Sequence, residues 1–345
     1  MDTKTRKSSN IVEQIADELG IAVSTVYAIL SDRKSCFASQ KLKEQVKQLA
    51  AELGYRPNYI AVSLKKGKTG TIGLIVSDMY GETTLARIEN MTKLAYKDRC
   101  HVFVGCSYDN PALEEELLQE FYYRRVDGIA IAPARHKGEN KFLRKLIELK
   151  FPLLSFTHVE NADIDYVSTD YFAGGYMAGE HLIKMGYTRH GFIAPEIKTT
   201  AVKERFEGFK KALADNGYYI DESRIELVRD ETGKEIEKGA ERLLETDIDS
   251  VFCTNDRVAS IFMKVSLSKG KKIPQDLGIV GFDDTEIGRM CLIPLTSIKQ
   301  KIEETAAHLY SVLKRKIQGY NTPCKILVKP ELIERESTKR GVRKQ

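Results

Sequence analysis

The segment Ile15–Leu30, "IADELGIAVSTVYAIL", places apolar residues at helical spacing on both sides of a glycine. Glycine inside one continuous helix costs about 1 kcal/mol relative to alanine, so two short helices joined at Gly20 fit better than one long helix. Gly20 supplies the left-handed backbone that a corner between helices requires. The pattern predicts a helix-turn-helix, whose second helix enters the major groove of DNA. An ordinary helical hairpin is the alternative for this stretch alone.

The two helices are expected to share an apolar core with a third. Ser24 and Thr25 suit the start of the second helix. The stretch "SQKLKEQVKQLAAELGYRPN" predicts the third helix, begun by a Ser39 cap and ended at Gly54. The residues predicted to face inward in the first two helices and their turn are Ile15, Ala16, Leu19, Ile21, Val26, Ile29 and Leu30.

The charge distribution sets this region apart. The 345-residue chain has a net charge of +5, and residues 1–68 hold 12 Lys and Arg against 7 Asp and Glu, which accounts for the whole excess. A basic module on a neutral body is the electrostatic footprint of a DNA-binding protein. The charge pattern therefore favours double-stranded DNA as a partner.

A short segment after the third helix has the properties of a hinge. In "RPNYIAVSLKKGKTG", Pro57 is tolerated only in a first helical turn, residues 58–66 can be helical, and residues 67–70 are linker-like. A helix of about nine residues is too short to be stable alone in water. We therefore expect it to form against a partner or DNA.

The six cysteines, at positions 36, 100, 106, 253, 291 and 324, form no Cys-x-x-Cys pair and no Cys/His spacing typical of a zinc site. Neither a zinc site nor a disulfide framework is indicated, and free thiols in a reducing compartment are expected. The first ten residues lack the apolar core of a signal peptide, and no apolar run approaches the length of a membrane span. The predicted location is the cytoplasm, with no membrane partner.

From Thr71 onward, buried strands alternate with amphipathic helices. The predicted strands are "TIGLIV", "HVFVGCS", "VDGIAIAP", "FPLLSF", "RHGFIAP", "SVFCTND" and "LGIVGFDD". Strands buried on both faces and joined by helices imply parallel sheets, and this number of strands favours two doubly wound lobes. Ligands in such folds bind at the carboxyl ends of the strands, here in the cleft between the lobes.

These features resemble the lactose-repressor (LacI) family of bacterial transcription regulators nearly end to end. The head and hinge match through "ADELGIAVSTVYAIL" and "AELGYRPNYIAVSL", and the body through "RRVDGIAI", "GGYMAGEHLIKMGY", "RFEGF", "TND", "IPQDLGIVGFDDTE" and "PLTSIKQ". The resemblance implies an α/β chain: a small all-α helix-turn-helix head and hinge helix, then a two-lobed periplasmic-binding-protein-like domain of doubly wound parallel sheets. The family binds operator DNA as a dimer.

The expected domain boundaries follow from these matches. They are a head at 1–56, a hinge helix and linker at 57–70, an effector-binding and dimerisation domain at 71–336, and a basic tail at 337–345, whose end "KRGVRKQ" is expected to be solvated. Lobe 1 is expected to span approximately 71–168 and 299–325, and lobe 2 approximately 169–298 and 326–336. The few residues after Arg335 leave no room for several heptads, so a dimer is expected rather than a tetramer.

The resemblance implies a set of DNA-contacting residues: Ala22, Val23, Ser24, Thr25, Tyr27, Ala28, Ser31, Asn58, Ala61, Leu64 and Lys65. Leu64 stands at the position of the family's minor-groove wedge, which unstacks a base step and kinks DNA. Ala22, Tyr27 and Ala28 depart from the usual Ser, Ser and Arg or His, so Val23 and Ser24 are the expected base readers. We expect the half-site to differ from common family sites. Asn10 or Ser9 is expected to cap the first helix.

The resemblance also implies an effector site. Arg205, Asn255, Asp256 and Asp283 stand where the family contacts its effector, and an arginine with a carboxylate can grip neighbouring hydroxyls. The cleft departs from the family at residues 81–84 ("GETT") and at His158, which makes Tyr80, Thr84 and His158 further candidates. Glu231 stands in place of the usual aromatic platform, a role that Tyr80 or Tyr171 could fill. A sugar or sugar derivative is expected, and a phosphorylated or acidic ligand would also suit Arg205 and His158.

An enzyme is not expected. "GKT" at residues 67–69 lacks the preceding glycine of a phosphate loop, and the histidines have no metal-ligand spacing, so neither a metal nor a cofactor is predicted. The favoured function is a repressor that binds a near-palindromic operator as a homodimer under effector control. The alternatives are a corepressor-dependent purine-type or global regulator and a cytoplasmic solute-binding protein with a vestigial head.

Overall fold

A computed structural model describes residues 3–31, 36–56, 67–134, 140–158, 164–195, 200–229 and 232–340; within 3–10 it describes the backbone alone. The chain divides into two units, residues 1–70 and 71–345. Within the described part, no helix combines the length and apolarity needed to cross a lipid bilayer. The predicted DNA contacts Asn58, Ala61, Leu64 and Lys65 lie outside the described residues, as do Glu231 and the end of the predicted tail.

Three helices form the first unit: α1 (Thr3–Leu19), α2 (Val23–Leu30) and α3 (Gln40–Glu52). Gly20, at φ +61°, makes the corner between α1 and α2, and the Ile21 amide donates to the Ala16 carbonyl over 2.9 Å. The Ser39 hydroxyl accepts from the Leu42 amide at the start of α3, as predicted. The buried core consists of Val12, Ile15, Ala16, Val26, Ile29, Val46 and Ala50. Leu19, Ile21 and Leu30 are partly buried beside it.

The expected cap of α1 at Ser9 or Asn10 is wrong. The helix is already formed at Thr3 and passes through both residues. Residues 3–10 contain neither glycine nor proline, so nothing in this stretch stops the helix from continuing towards the N-terminus. Ser9 and Asn10 therefore occupy interior positions of α1.

The second unit contains two six-stranded sheets, as the alternating pattern predicted. Sheet 1 consists of β1 (Thr71–Val76), β2 (His101–Cys106), β3 (Gly128–Ile131), β4 (Leu153–Ser155), β5 (Tyr166–Thr169) and β11 (Lys325–Val328), in the order β11-β5-β4-β3-β1-β2. Sheet 2 consists of β6 (His190–Pro195), β7 (Ile225–Val228), β8 (Ser250–Cys253), β9 (Gly278–Asp283), β10 (Thr296–Lys299) and β12 (Glu331–Ile333), in the order β12-β10-β9-β8-β6-β7. Every pair is parallel except β10 and β12.

Helices flank both sheets. Those packed with sheet 1 are α4 (Glu82–Lys97), α5 (Pro111–Tyr123), α6 (Lys141–Glu148) and α12 (Ile302–Ile317). Those of the other lobe are α7 (Tyr171–Lys184), α8 (Thr200–Asp215), α9 (Gly233–Leu244), α10 (Asp256–Ser268) and the single-turn α11 (Glu286–Arg289). A short 3₁₀ turn, Glu222–Arg224, precedes β7. We call the sheet 1 layer lobe 1 and the sheet 2 layer lobe 2.

Two boundaries of the body differ from those expected. The last crossing between the lobes lies between β11 and β12, at residues 329–330, because β11 pairs with β5 in lobe 1. The predicted start of the basic tail at residue 337 also differs, since Ser337 and Thr338 are fully buried. Ser337 donates from its hydroxyl to the Ile279 carbonyl over 2.6 Å, and Thr338 bonds His181 through its hydroxyl over 2.8 Å. The polar groups of this segment are therefore satisfied inside lobe 2.

Candidate DNA-binding face and ligand cleft

One side of α2 faces the core of the head and the other faces solvent. Val26 and Ile29 are buried, whereas five of the predicted contacts are exposed and form what we call the reading face: Ala22, Val23, Ser24, Tyr27 and Ser31. Thr25 and Ala28 are half-buried at its edge. Ala22 caps α2 without a side-chain hydrogen bond, which leaves the first amides of the helix available to an anion such as a DNA phosphate.

Arg205 is held in the body by a close crossing of two helices. A Cβ atom on Gly175 of α7 would lie 1.9 Å from the Arg205 carbonyl oxygen, and one on Gly208 of α8 would lie 2.0 Å from the Phe172 carbonyl oxygen. Only glycine fits at both positions. The contact fixes the backbone from which the Arg205 side chain projects.

The Arg205 guanidinium lies between rings and polar groups. It is 7% exposed and stacks on Phe282, with Cζ 3.8 Å from the ring centroid, and on Tyr171 at 4.8 Å. It donates to the Thr254 carbonyl over 2.6 Å and approaches Oδ1 of Asp283 to 3.5 Å. Tyr171 is therefore covered by Arg205, and the expectation that it could serve as an open stacking platform is wrong.

Asp283 ends β9 in a conformation that L-residues rarely adopt. Its φ is +106°, and that of Asp284 is +55°. The Asp284 amide donates to the Ser297 hydroxyl over 3.1 Å, and its carboxylate accepts from Arg335 over 2.6 Å. Strained backbone of this kind is found where the surroundings hold a functional group in place. Here it turns the Asp283 carboxylate towards Arg205.

A chain of hydrogen bonds links Asp283 to lobe 1. Gln300 donates to Oδ1 of Asp283 over 2.7 Å, and Thr169 at the end of β5 donates to the Gln300 side-chain oxygen over 2.8 Å. Burial raises the pKa of Asp283, while Arg205 and the Gln300 hydrogen bond lower it. Two of the three segments that connect the lobes, those at Thr169 and Gln300, thus meet beside Asp283.

Asp256, the first residue of α10, holds the segment that follows β9 through hydrogen bonds. Its carboxylate accepts from the Ser297 hydroxyl over 2.5 Å and from the amide and hydroxyl of Thr285 over 2.6 Å and 3.0 Å. Burial, together with the Asp283 charge, raises its pKa to about 7. Asn255 precedes it and caps α10 by accepting from the Val258 amide over 2.8 Å, with the rest of its side chain lining the cleft.

The cleft itself lies between the lobes. A cavity of about 610 Å³ contains Tyr80 and Thr83 of lobe 1 on one side and Asn255 and Asp283 of lobe 2 on the other. The prediction that Thr84 lines the cleft is wrong. Its neighbour Thr83 lines the cleft instead. Thr84 is buried because it faces into lobe 1, and its hydroxyl donates to Asp78 over 3.2 Å. Tyr80 is 72% exposed at the rim.

His158 is placed between the lobes rather than free in the cleft. Its Nδ1 lies 2.5 Å from Oε1 of Glu204 on α8, so the pair connects lobe 1 to lobe 2. Glu82 makes a second such connection, because its carboxylate accepts from the amides of Glu286 and Ile287 at the start of α11 over 2.7 Å and 3.4 Å.

Two residues of this region were missed by sequence reasoning, Glu82 and Arg87. Arg87 lies on the buried face of α4 together with Thr84, Met91 and Ala95. A charged residue on the apolar face of an amphipathic helix was a usable signal, because buried charges require a partner. Glu82 stands at the first position of α4, where an acidic residue is ordinary, so no sequence signal singled it out.

The chain is similar in sequence to known transcriptional regulators. A family model described as a periplasmic binding protein-like domain matches residues 180–338. The regulator DegA of Bacillus subtilis is 29% identical over 95% of this chain and 97% of its own. The transcriptional repressor PurR of Haemophilus influenzae is 28% identical over 95% and 98%, and the ribose operon repressor of Halalkalibacterium halodurans is 29% identical over 96% and 97%. These relatives are regulators rather than enzymes, in agreement with the prediction.

Solved structures give the same result for the fold. The lac repressor dimer bound to operator and an anti-inducer matches with a TM-score of 0.84 at 21% identity, over 94% of this chain and 97% of that one. The complex of the regulator CelR with cellobiose matches with a TM-score of 0.72 at 24% identity, over 94% and 99%. The chain is therefore homologous to helix-turn-helix-type transcriptional regulators over its head and its body, and it has the fold of the LacI family.

Proposed function

We propose that this chain is a cytoplasmic transcriptional repressor that binds a near-palindromic operator as a homodimer and responds to a small-molecule effector. The observation that carries the DNA part is the reading face, an exposed strip of α2 opposite a well-packed core. A vestigial head on a solute-binding protein would have no reason to retain it. Base contacts through Val23 and Ser24, with phosphate contacts from the start of α2, fit major-groove binding.

A polar sugar or sugar derivative suits the cleft better than a purine. Arginine, carboxylate and amide groups line it, whereas a purine base needs a free aromatic face. Among the described cleft residues, Tyr171 is covered by Arg205, and Tyr80 is exposed at the rim. The name of the ribose operon repressor supports a sugar, while that of PurR keeps a purine-type corepressor as the second candidate.

The homodimer is supported by apolar side chains left exposed on both lobes. On lobe 1, Phe103 and Val104 are exposed on β2, the edge strand of sheet 1. On lobe 2, Met290 and Leu292 are 75% and 85% exposed beside a groove of about 760 Å³. Apolar patches and unpaired strand edges of this kind mark protein interfaces. A second copy of the chain would cover both.

Selection from a random DNA pool tests the DNA part. The full chain is expected to enrich two inverted half-sites that differ from common family half-sites. Val23→Ala is expected to relax the preference at one position of each half-site by about 1 kcal/mol, because it removes apolar contact with a thymine methyl. Gln48→Ala, at an exposed site on α3, is the control that leaves the selected sequence unchanged. A selection without enrichment would contradict the proposal.

Sedimentation tests the dimer. Wild type is expected to sediment as a dimer, and Leu292→Glu as a monomer with weakened operator binding, because it places a charge in the proposed interface. Tyr219→Glu, which changes an exposed aromatic residue of lobe 2 outside that groove, is the control. A wild-type monomer or tetramer would contradict this part of the proposal.

A further inference from the structure

The Arg87 side chain is buried without a hydrogen-bonding partner for its Nε atom. Arg87 is 6% exposed, and its Cζ lies 4.8 Å from the centroid of the Phe156 ring, just beyond the end of β4. Within the described chain, Nε has no hydrogen-bond acceptor, and the guanidinium forms no ion pair. A buried guanidinium normally has hydrogen-bonded acceptors, so this arrangement lacks a component.

Arg205 presents a second unsatisfied donor from the opposite lobe. Its Nε is also buried and has no partner among the described residues, although its other nitrogens reach Thr254 and Asp283. Arg87 and Arg205 both lower the pKa of the Asp283 carboxyl, which burial raises. Both guanidinium charges therefore act on Asp283, which lines the cleft cavity, one from lobe 1 and one from lobe 2.

The acidic groups around this space are already engaged. Glu82, which raises the pKa of Asp283, holds the amides at the start of α11, and Glu204 pairs with His158. The Asp283 carboxylate accepts from Gln300 and faces Arg205. None of these carboxylates supplies an acceptor to Arg87, so the described part of the chain leaves an acceptor position that a bound ligand can fill.

We propose that the effector carries an oxyanion, a carboxylate or a phosphate, bound between Arg87 of lobe 1 and Arg205 of lobe 2. This inference rests on the proposed function and narrows its ligand to acidic or phosphorylated sugar derivatives. Guanidinium groups match both oxyanions through paired N–H donors. An oxyanion held from both lobes stabilises one arrangement of the lobes over another, which is what an effector must do to change DNA binding.

Calorimetric titration with matched probes tests the proposal. The probes are glucose, glucose 6-phosphate and glucuronate, then ribose and ribose 5-phosphate, and inorganic phosphate alone. We expect at least one charged probe to bind at least about tenfold more tightly than its neutral parent. A preference shared by glucose 6-phosphate, ribose 5-phosphate and inorganic phosphate identifies phosphate as the anion, and one for glucuronate identifies carboxylate.

Three variants assign the effect to Arg87. Arg87→Met is expected to weaken the charged probe to the level of its parent, and Arg87→Lys to weaken it partly, because lysine keeps the charge but loses the planar fork. Lys97→Met removes an exposed charge from the same helix and is expected to change nothing. If Arg87→Met fails to fold, the partial loss of affinity expected for Arg87→Lys tests the proposal instead.

Neutral and charged probes that bind equally, or an affinity unchanged in the Arg87 variants, would overturn the proposal. An absence of binding by every charged probe would also overturn it. Operator selection, measured on the same protein preparation, separates this result from failure of the proposed function. DNA enrichment without anion binding would reject only the oxyanion, whereas loss of both would reject the repressor as well.

Discussion

The two lobes share a strand order but differ in how their cleft-facing polar groups are satisfied. In lobe 2, Asp256 is hydrogen-bonded to Ser297 and Thr285, and Arg205 to the Thr254 carbonyl. These partners belong to the same lobe, so the groups keep them whatever the other lobe does. Lobe 2 therefore presents a preorganised platform.

In lobe 1 the corresponding groups do not have their described partners within their own lobe. Glu82 and His158 have partners on lobe 2, at the start of α11 and at Glu204, and Arg87 has none for its Nε among the described residues. These groups change their environment when the lobes separate. A ligand can therefore gain differential contacts mainly through lobe 1, while lobe 2 fixes the geometry.

The largest effect is expected from Gly175→Ala in lobe 2. The added Cβ would lie 1.9 Å from the Arg205 carbonyl oxygen, so α7 and α8 must separate. We expect a loss of about 3 kcal/mol in unfolding free energy, measured by urea denaturation, together with loss of ligand binding. Gly233→Ala, where a Cβ meets nothing within 4 Å, is the control. A Gly175→Ala protein as stable as wild type would break the idea of a rigid platform.

The next effect concerns Asp256 and pH. Because its folded pKa of about 7 lies above the unfolded value of 3.8, its contribution to stability is present below the unfolded pKa and is lost as pH rises through the folded one. The unfolding free energy of wild type minus that of Asp256→Asn is expected to fall by about 2 kcal/mol between about pH 5 and pH 7. A difference independent of pH would show that Asp256 is not buried as described.

A smaller effect is expected at the contact between the lobes. Glu82→Gln weakens the acceptor of the α11 amides and is expected to favour separated lobes by about 1 kcal/mol. The expected readouts are a larger radius of gyration in solution scattering and a ligand affinity changed by about fivefold. Glu89→Gln, at an exposed position on the same helix, is the control. Identical scattering from Glu82→Gln and wild type would show that Glu82 does not hold the two lobes together.

The smallest effect on stability is expected at the rim. Tyr80→Ala should change the unfolding free energy by less than about 0.5 kcal/mol, because the side chain is mostly exposed. Ligand affinity is expected to fall by a few-fold through lost contact in the cleft. Tyr219→Ala, exposed elsewhere on lobe 2, should change neither quantity. Unchanged ligand affinity in Tyr80→Ala would exclude Tyr80 from the site.

Local signals in the sequence were enough to predict the head and the general form of the body. Gly20 and the apolar spacing around it predicted the helix-turn-helix, and seven apolar runs predicted seven of the strands. The strands β5, β7, β10, β11 and β12 were missed. Each is three or four residues long, and its place depends on pairing with strands distant in the chain rather than on a local pattern.

The site was predictable in part. Arg205 and Asp283 came from a resemblance, and the structure places them 3.5 Å apart. Ser337 and Thr338 were assigned to the basic tail, but their hydroxyls are satisfied by groups far away in sequence. Arg87 and Glu82 matter only through groups brought close by folding, so spacing along the chain did not identify them.

We propose that a ligand bound between Arg87 and Arg205 controls operator binding. Its most direct test is the dissociation constant of the selected operator, measured by fluorescence anisotropy with and without the tightest-binding probe, for wild type and Arg205→Met. We expect the operator dissociation constant to change by at least about tenfold in wild type and not at all in Arg205→Met, with both proteins binding operator when the probe is absent. An operator affinity that no probe alters in wild type, or one altered equally in Arg205→Met, would contradict it.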